Sequence, residues 1–235
     1  METVDPHDSE VNVVISPHLD DAVLSTGFWM TEHPGSTVVT VCAGLPGPLV
    51  PASGWDQAGG FSSGDEAVLS RRREDQAALL TLGARQRLLG FLDGPYRTAR
   101  VHENRYVGSG IDEAVEQALI EVIDELQPDR VLIPIGWGQT DHSIVSEAGL
   151  RALSQRHVNG FAYADLPYAI ADPDFLSTRI NELQARGMGI DEVPVPQGDP
   201  ATKAQAISCY QSQIALVDVS RCSDPGVEHI FRLGF

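Results

Sequence analysis

The chain has 235 residues, 42% of them hydrophobic, with 33 acidic against 16 basic side chains and a formal net charge of −17. That is enough chain for a substantial core and too apolar for disorder. The acidic balance excludes the basic footprint that a nucleic acid or an anionic membrane requires. Three scattered cysteines, Cys42, Cys209 and Cys222, form no CxxC pair and read as reduced thiols of a cytoplasmic protein. With the polar start METVDPHDSE no signal peptide is expected, and no apolar run is long enough for membrane insertion.

The chain opens on a strand. Residues 11–16 are a β-branched apolar run of the kind buried in a parallel sheet. A helix follows from Ala22 to the stop signal His33-Pro34-Gly35. Between them lie His18, Asp20 and Asp21. A strand that turns at once into a helix puts such side chains at the carboxyl edge of a sheet, where open α/β folds bind ligands. His18 offers a neutral nitrogen and Asp21 a carboxylate oxygen, both ordinary zinc ligands. Asp20 is left to take a proton from water as a general base. A single Asp at such a junction is usually only a helix cap. Two of them with a histidine, beside a buried strand, are costly unless a metal or substrate compensates. The triplet is therefore read as part of a metal site that needs a third ligand from elsewhere.

Residues 36–42 are a second strand. Residues 43–64 are a long Gly- and Pro-rich loop overhanging the same edge, a candidate lid on which Trp55 and Phe61 are placed to stack on a sugar ring. Residues 65–82 form an amphipathic helix capped by Asp65 and stopped by Gly83. A third strand, 88–92, ends at Asp93. An irregular segment, 94–110, then carries Tyr96, Arg97 and His102. After a helix over 111–126, the strand 130–135 empties into Gly136-Trp137-Gly138-Gln139-Thr140-Asp141-His142, and a helix follows over 143–156. A strand over 161–163, a helix over 175–186, an edge strand over 188–196, a helix over 202–216 and a terminal strand complete the chain. This alternation predicts an α/β fold, a Rossmann-like three-layer sandwich whose mostly parallel central sheet carries helices on both faces. A single domain over residues 1–235 is expected. The topology returns His142 to the edge that holds His18, which makes it the candidate for the third ligand. No G-x-G-x-x-G follows the first strand, so a dinucleotide is not expected.

The stretch Pro17-His18-Leu19-Asp20-Asp21, taken with Asp141-His142, resembles the motifs of the PIG-L/LmbE-like family of zinc-dependent N-acetylglucosaminyl deacetylases. Arg71-x-x-Glu74 followed by Leu82-Gly83 is similar to the family's Arg-x-x-Glu…Leu-Gly helix, and Asp93 to an acidic residue at the end of its third strand. Residues 164–168 (Ala-Asp-Leu-Pro-Tyr) and Lys203…Tyr210-x-Ser212-Gln213 resemble stretches of bacterial members. The resemblance implies an LmbE-like fold with Zn2+ held by His18, Asp21 and His142, and Asp20 as general base. It also implies that Arg71 and Asp93 bind substrate, and that the activity removes the N-acetyl group from an N-acetylglucosamine-type amino sugar or glycoconjugate. The implied partner is a small-molecule amino-sugar substrate, and nothing opposes a homo-oligomer.

One position departs from the pattern. The family's second motif, His-x-Asp-His, has Gln139 in place of its first His, which helps stabilise the oxyanion. A Gln amide donates a hydrogen bond but carries no proton or positive charge. Gln139 is expected to be a weaker catalytic donor, since losing a charge-assisted one costs ~10²-fold in rate. Two further readings stand beside the deacetylase. One is a zinc amidase acting on another acylated amino-sugar conjugate. The other is a catalytically weak sugar-binding homologue, which Gln139 favours and the retained Asp20 opposes.

Overall fold

The computed structural model describes residues 10–97, 110–137 and 139–235. The first half runs β1 Asn12–Ser16, α1 Asp21–Glu32, β2 Thr37–Thr40, α2 Gly54–Ala58, α3 Gly64–Thr81, β3 Arg85–Leu88, α4 Gly94–Arg97 and α5 Ile111–Leu126. The second half runs β4 Arg130–Pro134, α6 Thr140–Arg156, β5 Asn159–Tyr163, α7 Tyr168–Ala171, α8 Pro173–Ala185, β6 Gly189–Val193, α9 Pro200–Ile207, α10 Gln211–Ile214 and β7 Ile230–Gly234. These strands form one seven-stranded sheet in the order β3-β2-β1-β4-β5-β7-β6. β1 to β5 pair in parallel, and β7 is antiparallel to both of its neighbours.

β1 is buried along its whole length, and its side chains alternate between two cores. Val13 and Ile15 pack with Val115, Leu119 and Val122 of α5 and with Val145 and Ala148 of α6. Val14 faces Ala22, Val23 and Leu24 of α1 and Leu79 of α3 on the other side. A strand covered on both faces has no polar side to show, which is why it reads as a continuous apolar run. The sheet order changes direction between β1 and β4, so the turns leaving these two strands diverge around a crevice. That is the topological switch point at which open α/β sheets bind ligands.

Several boundaries differ from the sequence reading. The third strand is Arg85–Leu88 and not 88–92, because its ladder with β2 closes at Thr40↔Leu88; an edge strand reading RQRL has no apolar pattern to reveal it. Ser63, whose side chain accepts the Glu66 N–H, caps α3, while Asp65 accepts the Gly47 N–H at 2.6 Å and so tethers the loop. That loop is not wholly irregular, since it holds α2. The helix expected over 202–216 breaks into α9 and α10, with fully buried Tyr210 between them and its hydroxyl 2.7 Å from Asp75. α6 starts at Thr140, so Asp141 and His142 belong to its first turn. His102 lies outside the described residues. No helix among the described residues is long and apolar enough to cross a membrane.

α8 is held to α6 by charge. Glu147 on α6 accepts from Arg186 at 2.7 and 2.9 Å and from Arg179 at 2.7 Å. The Arg186 hydrogen bond, against some burial and helped by Arg179, pulls the Glu147 carboxyl down to about 2 from its ordinary 4.5. A carboxyl depressed in the folded state contributes stability above its unfolded value, lost as pH falls through the folded one. Glu147→Gln should therefore cost about 1 kcal/mol at pH 7, the scale of a partly exposed ion pair. In urea titrations, the gap to wild type should close between pH 5 and 2. A gap that stays constant over that range would show the pair to be uncoupled from folding.

Candidate active site

The β1–α1 turn delivers its three ionisable residues with distinct environments. Asp20 occupies the N-cap position of α1, yet its side chain makes no capping hydrogen bond and has no hydrogen-bonding partner among the described residues. Asp21 turns back instead. Its Oδ2 accepts the His18 backbone N–H at 2.9 Å and lies 3.1 Å from His18 Nδ1. The same oxygen is 3.4 Å from Nε2 of His142, which arrives from the β4–α6 turn next door. One ligating atom from each of His18, Asp21 and His142 falls within 4.8 Å of the others.

His142 is fully buried, and its Nδ1 is bound to Asp165 Oδ1 at 2.6 Å. Asp165, just beyond β5, is itself fixed, because its other oxygen accepts the Gly136 and Trp137 N–H groups at 3.0 and 3.2 Å. A carboxylate on one ring nitrogen sets the tautomer and aims the lone pair of the other. His142 Nε2 is buried and lacks a hydrogen-bond partner among the described residues. An orphaned imidazole nitrogen between a second imidazole and a carboxylate is what a zinc-type cation fits.

A second cluster, His18 with Cys42 and Asp141, also brings ligating atoms within 4.8 Å. It fits a cation less well. Asp141 is already engaged by Arg97, by the Gly94 N–H at 2.9 Å and by His18 Nε2 at 3.2 Å. Burial pushes the Cys42 thiol far up, and the Arg97 guanidinium stands 4.0 Å from its sulfur.

The electrostatics favour a cation at the first cluster. Burial alone would lower the His142 ring's hold on a proton, but the Asp21 and Asp165 charges raise it. The same contest at His18, won by Asp93, Asp141 and Asp21, leaves that ring well above its usual range. The carboxylates demand positive charge, and a divalent cation supplies it in place of those protons. Asp20 is different. Burial first, then the Asp21 charge, pushes its carboxyl up to about 7 against the pull of His18 and Arg71.

His18 and Asp21 of the cluster line a cavity of about 260 Å³ that also holds Asp20, Arg71, Asp93 and Gln139 on its wall. Six of the seven residues singled out from the sequence thus line one crevice, and the seventh, His142, reaches it through Asp21, 3.4 Å from its Nε2. Asp93 Oδ1 stands 3.5 Å from His18 Nε2. Arg71 is buried and ion-paired to Asp56 of α2. Glu74 of the same motif braces α3 against α10, accepting from the Ser212 N–H and hydroxyl at 3.0 and 2.6 Å. The loop over 43–64 does roof the cavity. Trp55 lines it and donates to Gln213 at 3.3 Å, whereas Phe61 is not on its wall.

Sequence reasoning missed four residues. Asp56 gathers Ser53 Oγ at 2.8 Å, the Tyr96 hydroxyl and Arg71, and so pins the roof. Its signal was the capping-box spacing Ser53-x-x-Asp56. Asp165 and Tyr168 sat in a stretch noticed only for its resemblance. Arg97, which engages Asp141, had no signal beyond its place after a strand.

The fold and site define a class: an α/β protein with a His-Asp-His donor set and a free carboxylate at its switch point. The sequence model for PIG-L, GlcNAc-PI de-N-acetylase, matches residues 13–153, and the chain belongs to that family. Among solved structures it is similar to the A40926 pseudoaglycone deacetylase Dbv21, with 28% identity over 96% of this chain and 97% of that one and a TM-score of 0.74. It is also similar to the zinc-inhibited form of teicoplanin deacetylase Orf2, with 25% identity over 94% and 97% of the chains and a TM-score of 0.75. A deacetylase–teicoplanin complex matches at 28% identity over 94% and 97%, with a TM-score of 0.70. No curated protein sequence matches the chain.

Proposed function

We propose that this protein is a zinc-dependent N-deacetylase acting on an N-acetylglucosamine-type sugar, free or carried on a larger glycoconjugate. The observation that carries the reading is an unpartnered Asp20 carboxylate on the cavity wall beside Asp21, whose Oδ2 stands 3.4 Å from the orphaned His142 Nε2. Membership of a de-N-acetylase family and likeness to glycopeptide deacetylases support it. His18, Asp21 and His142 would hold the metal. Bound there, zinc supplies Lewis acidity that polarises a carbonyl and acidifies water.

The chain's own residues then divide the work. Asp20 takes a proton from the water that attacks the acetamide carbon, and the C=O electrons move onto oxygen. As the C–N bond breaks, Asp20 returns that proton to the departing nitrogen, leaving acetate and a free amine. Asp165 and Asp141 keep the two imidazoles oriented throughout. Asp93 and the remaining N–H groups of Arg71 face the sugar hydroxyls, while Asp56 holds Arg71 and the roof in place.

The test is product analysis with metal-loaded protein on N-acetylglucosamine, its glycosides and an N-acyl-glucosaminyl glycopeptide. Acetate with a new free amine is expected. Release of a longer acid only would replace the deacetylase with an amidase on a differently acylated sugar. Binding without any acid released would leave a sugar-binding homologue.

A further inference from the structure

We infer that the Tyr168 hydroxyl is the side-chain donor to the oxyanion of the tetrahedral intermediate, and that Gln139 is the positioning residue that holds it. The inference rests on the deacetylase reading above. It changes the role expected of Gln139, which no longer meets the substrate oxygen itself.

The geometry starts at the N-terminus of α6. Gln139 is the N-cap residue, yet its side chain makes no capping bond. Its Nε2 donates instead to the Tyr168 hydroxyl at 2.5 Å. A phenol oxygen that accepts from an amide keeps its own proton to give, and no acceptor for that proton is found among the described residues. Tyr168 and Gln139 both line the cavity.

Tyr168 also has a fixed relation to the metal-ligand set. Its ring stands edge-on to His142, 5.6 Å between centroids at 89°. Three residues earlier, Asp165 grips His142 Nδ1, and the Ala169 N–H closes the turn onto the Asp165 carbonyl at 2.9 Å. One short segment therefore sets both the His142 ring and the phenol above it.

Three donors of the roof are spent elsewhere. Ser53 Oγ and the Tyr96 hydroxyl go to Asp56, and Trp55 Nε1 goes to Gln213. Tyr96 is thus no substitute donor. A preorganised donor aimed at developing charge is the kind of contact that acts on kcat and not on ground-state binding.

The test compares zinc-loaded wild type with Tyr168→Phe, Gln139→Ala, Gln139→Glu and the Tyr168→Phe/Gln139→Ala pair. Acetate release is followed from N-acetylglucosamine and its aryl β-glycoside. Calorimetry measures affinity for a methylphosphonamidate analogue of the same sugar, a stable tetrahedral anion. Tyr168→Phe should lower kcat by ~10²-fold, the scale of one lost oxyanion donor. Its KM should stay within about threefold, its zinc content should be unchanged, and its affinity for the phosphonamidate should fall in parallel with kcat.

Gln139→Ala should cost about tenfold in kcat, and the double variant no more than Tyr168→Phe alone, because the two act as a unit. Gln139→Glu is the sharper probe. A carboxylate there accepts the phenol proton and turns it away from the cavity, so it should lose more than Gln139→Ala. An active wild type whose Tyr168→Phe variant keeps kcat and phosphonamidate affinity overturns the role of Tyr168. Losses that multiply in the double variant overturn the positioning role of Gln139. A wild type that releases no acetate from either sugar removes the deacetylase reading, and this assignment with it.

Discussion

Asp20→Asn is expected to lower kcat for acetate release by at least ~10²-fold, the usual contribution of a general base, with metal content unchanged. The substitution is nearly isosteric and leaves His18, Asp21 and His142 untouched. It also removes no structural contact, since the Asp20 side chain neither caps α1 nor bonds to any described residue. What it removes is a half-buried charge beside Asp21, whose repulsion helps push the Asp20 carboxyl up. The variant should therefore be at least as stable as wild type, which separates loss of chemistry from loss of fold. Parallel measurements of kcat, bound zinc and thermal midpoint decide the matter. Near-normal turnover in metal-replete Asp20→Asn protein would remove Asp20 from the mechanism.

His142→Ala is expected to abolish tight metal binding. It deletes one of the three donors and leaves the buried Asp165 carboxylate without its imidazole. Because an unpaired buried charge itself destabilises by about 3–5 kcal/mol, the informative companion is Asp165→Asn. That change keeps all three donors but loosens the hold on the His142 tautomer, so metal affinity should fall ~10–100-fold. Titration against a chelator of known affinity reads both variants. Zinc should raise the thermal midpoint of wild type, less that of Asp165→Asn, and not at all that of His142→Ala, since a ligand stabilises only the state that binds it. Retention of stoichiometric zinc by His142→Ala at wild-type affinity would show that the metal sits on other residues, with the His18–Cys42–Asp141 cluster the next place to look.

Much of this site is legible in local sequence because local rules produce it. A fully apolar β1 followed by an acidic N-cap places His18, Asp20 and Asp21 at a strand-to-helix turn. A second strand-to-helix turn at His142 reaches the same edge through ordinary parallel topology. Harder to read was β3, whose Arg85, Gln86 and Arg87 carry no apolar period because an edge strand needs none. The break between α9 and α10 was equally hidden. Residues 202–216 have helical composition, and what interrupts them is the long-range demand of burying Tyr210 against Asp75.

From sequence alone came the identity of the candidate donors, the free carboxylate and the sheet edge on which they meet. Each follows from residues a few positions apart and from strand–helix alternation. Tertiary structure decided which carboxylates orient which imidazoles, that Asp20 caps nothing, that Arg71 is tied to the roof, and that the Gln139 amide is spent on Tyr168. These contacts join residues carried on different loops, such as Gln139 after β4 and Tyr168 after β5. The pairing of β4 with β5 brings those loops together, and hydrophobic periodicity within either segment does not encode that pairing.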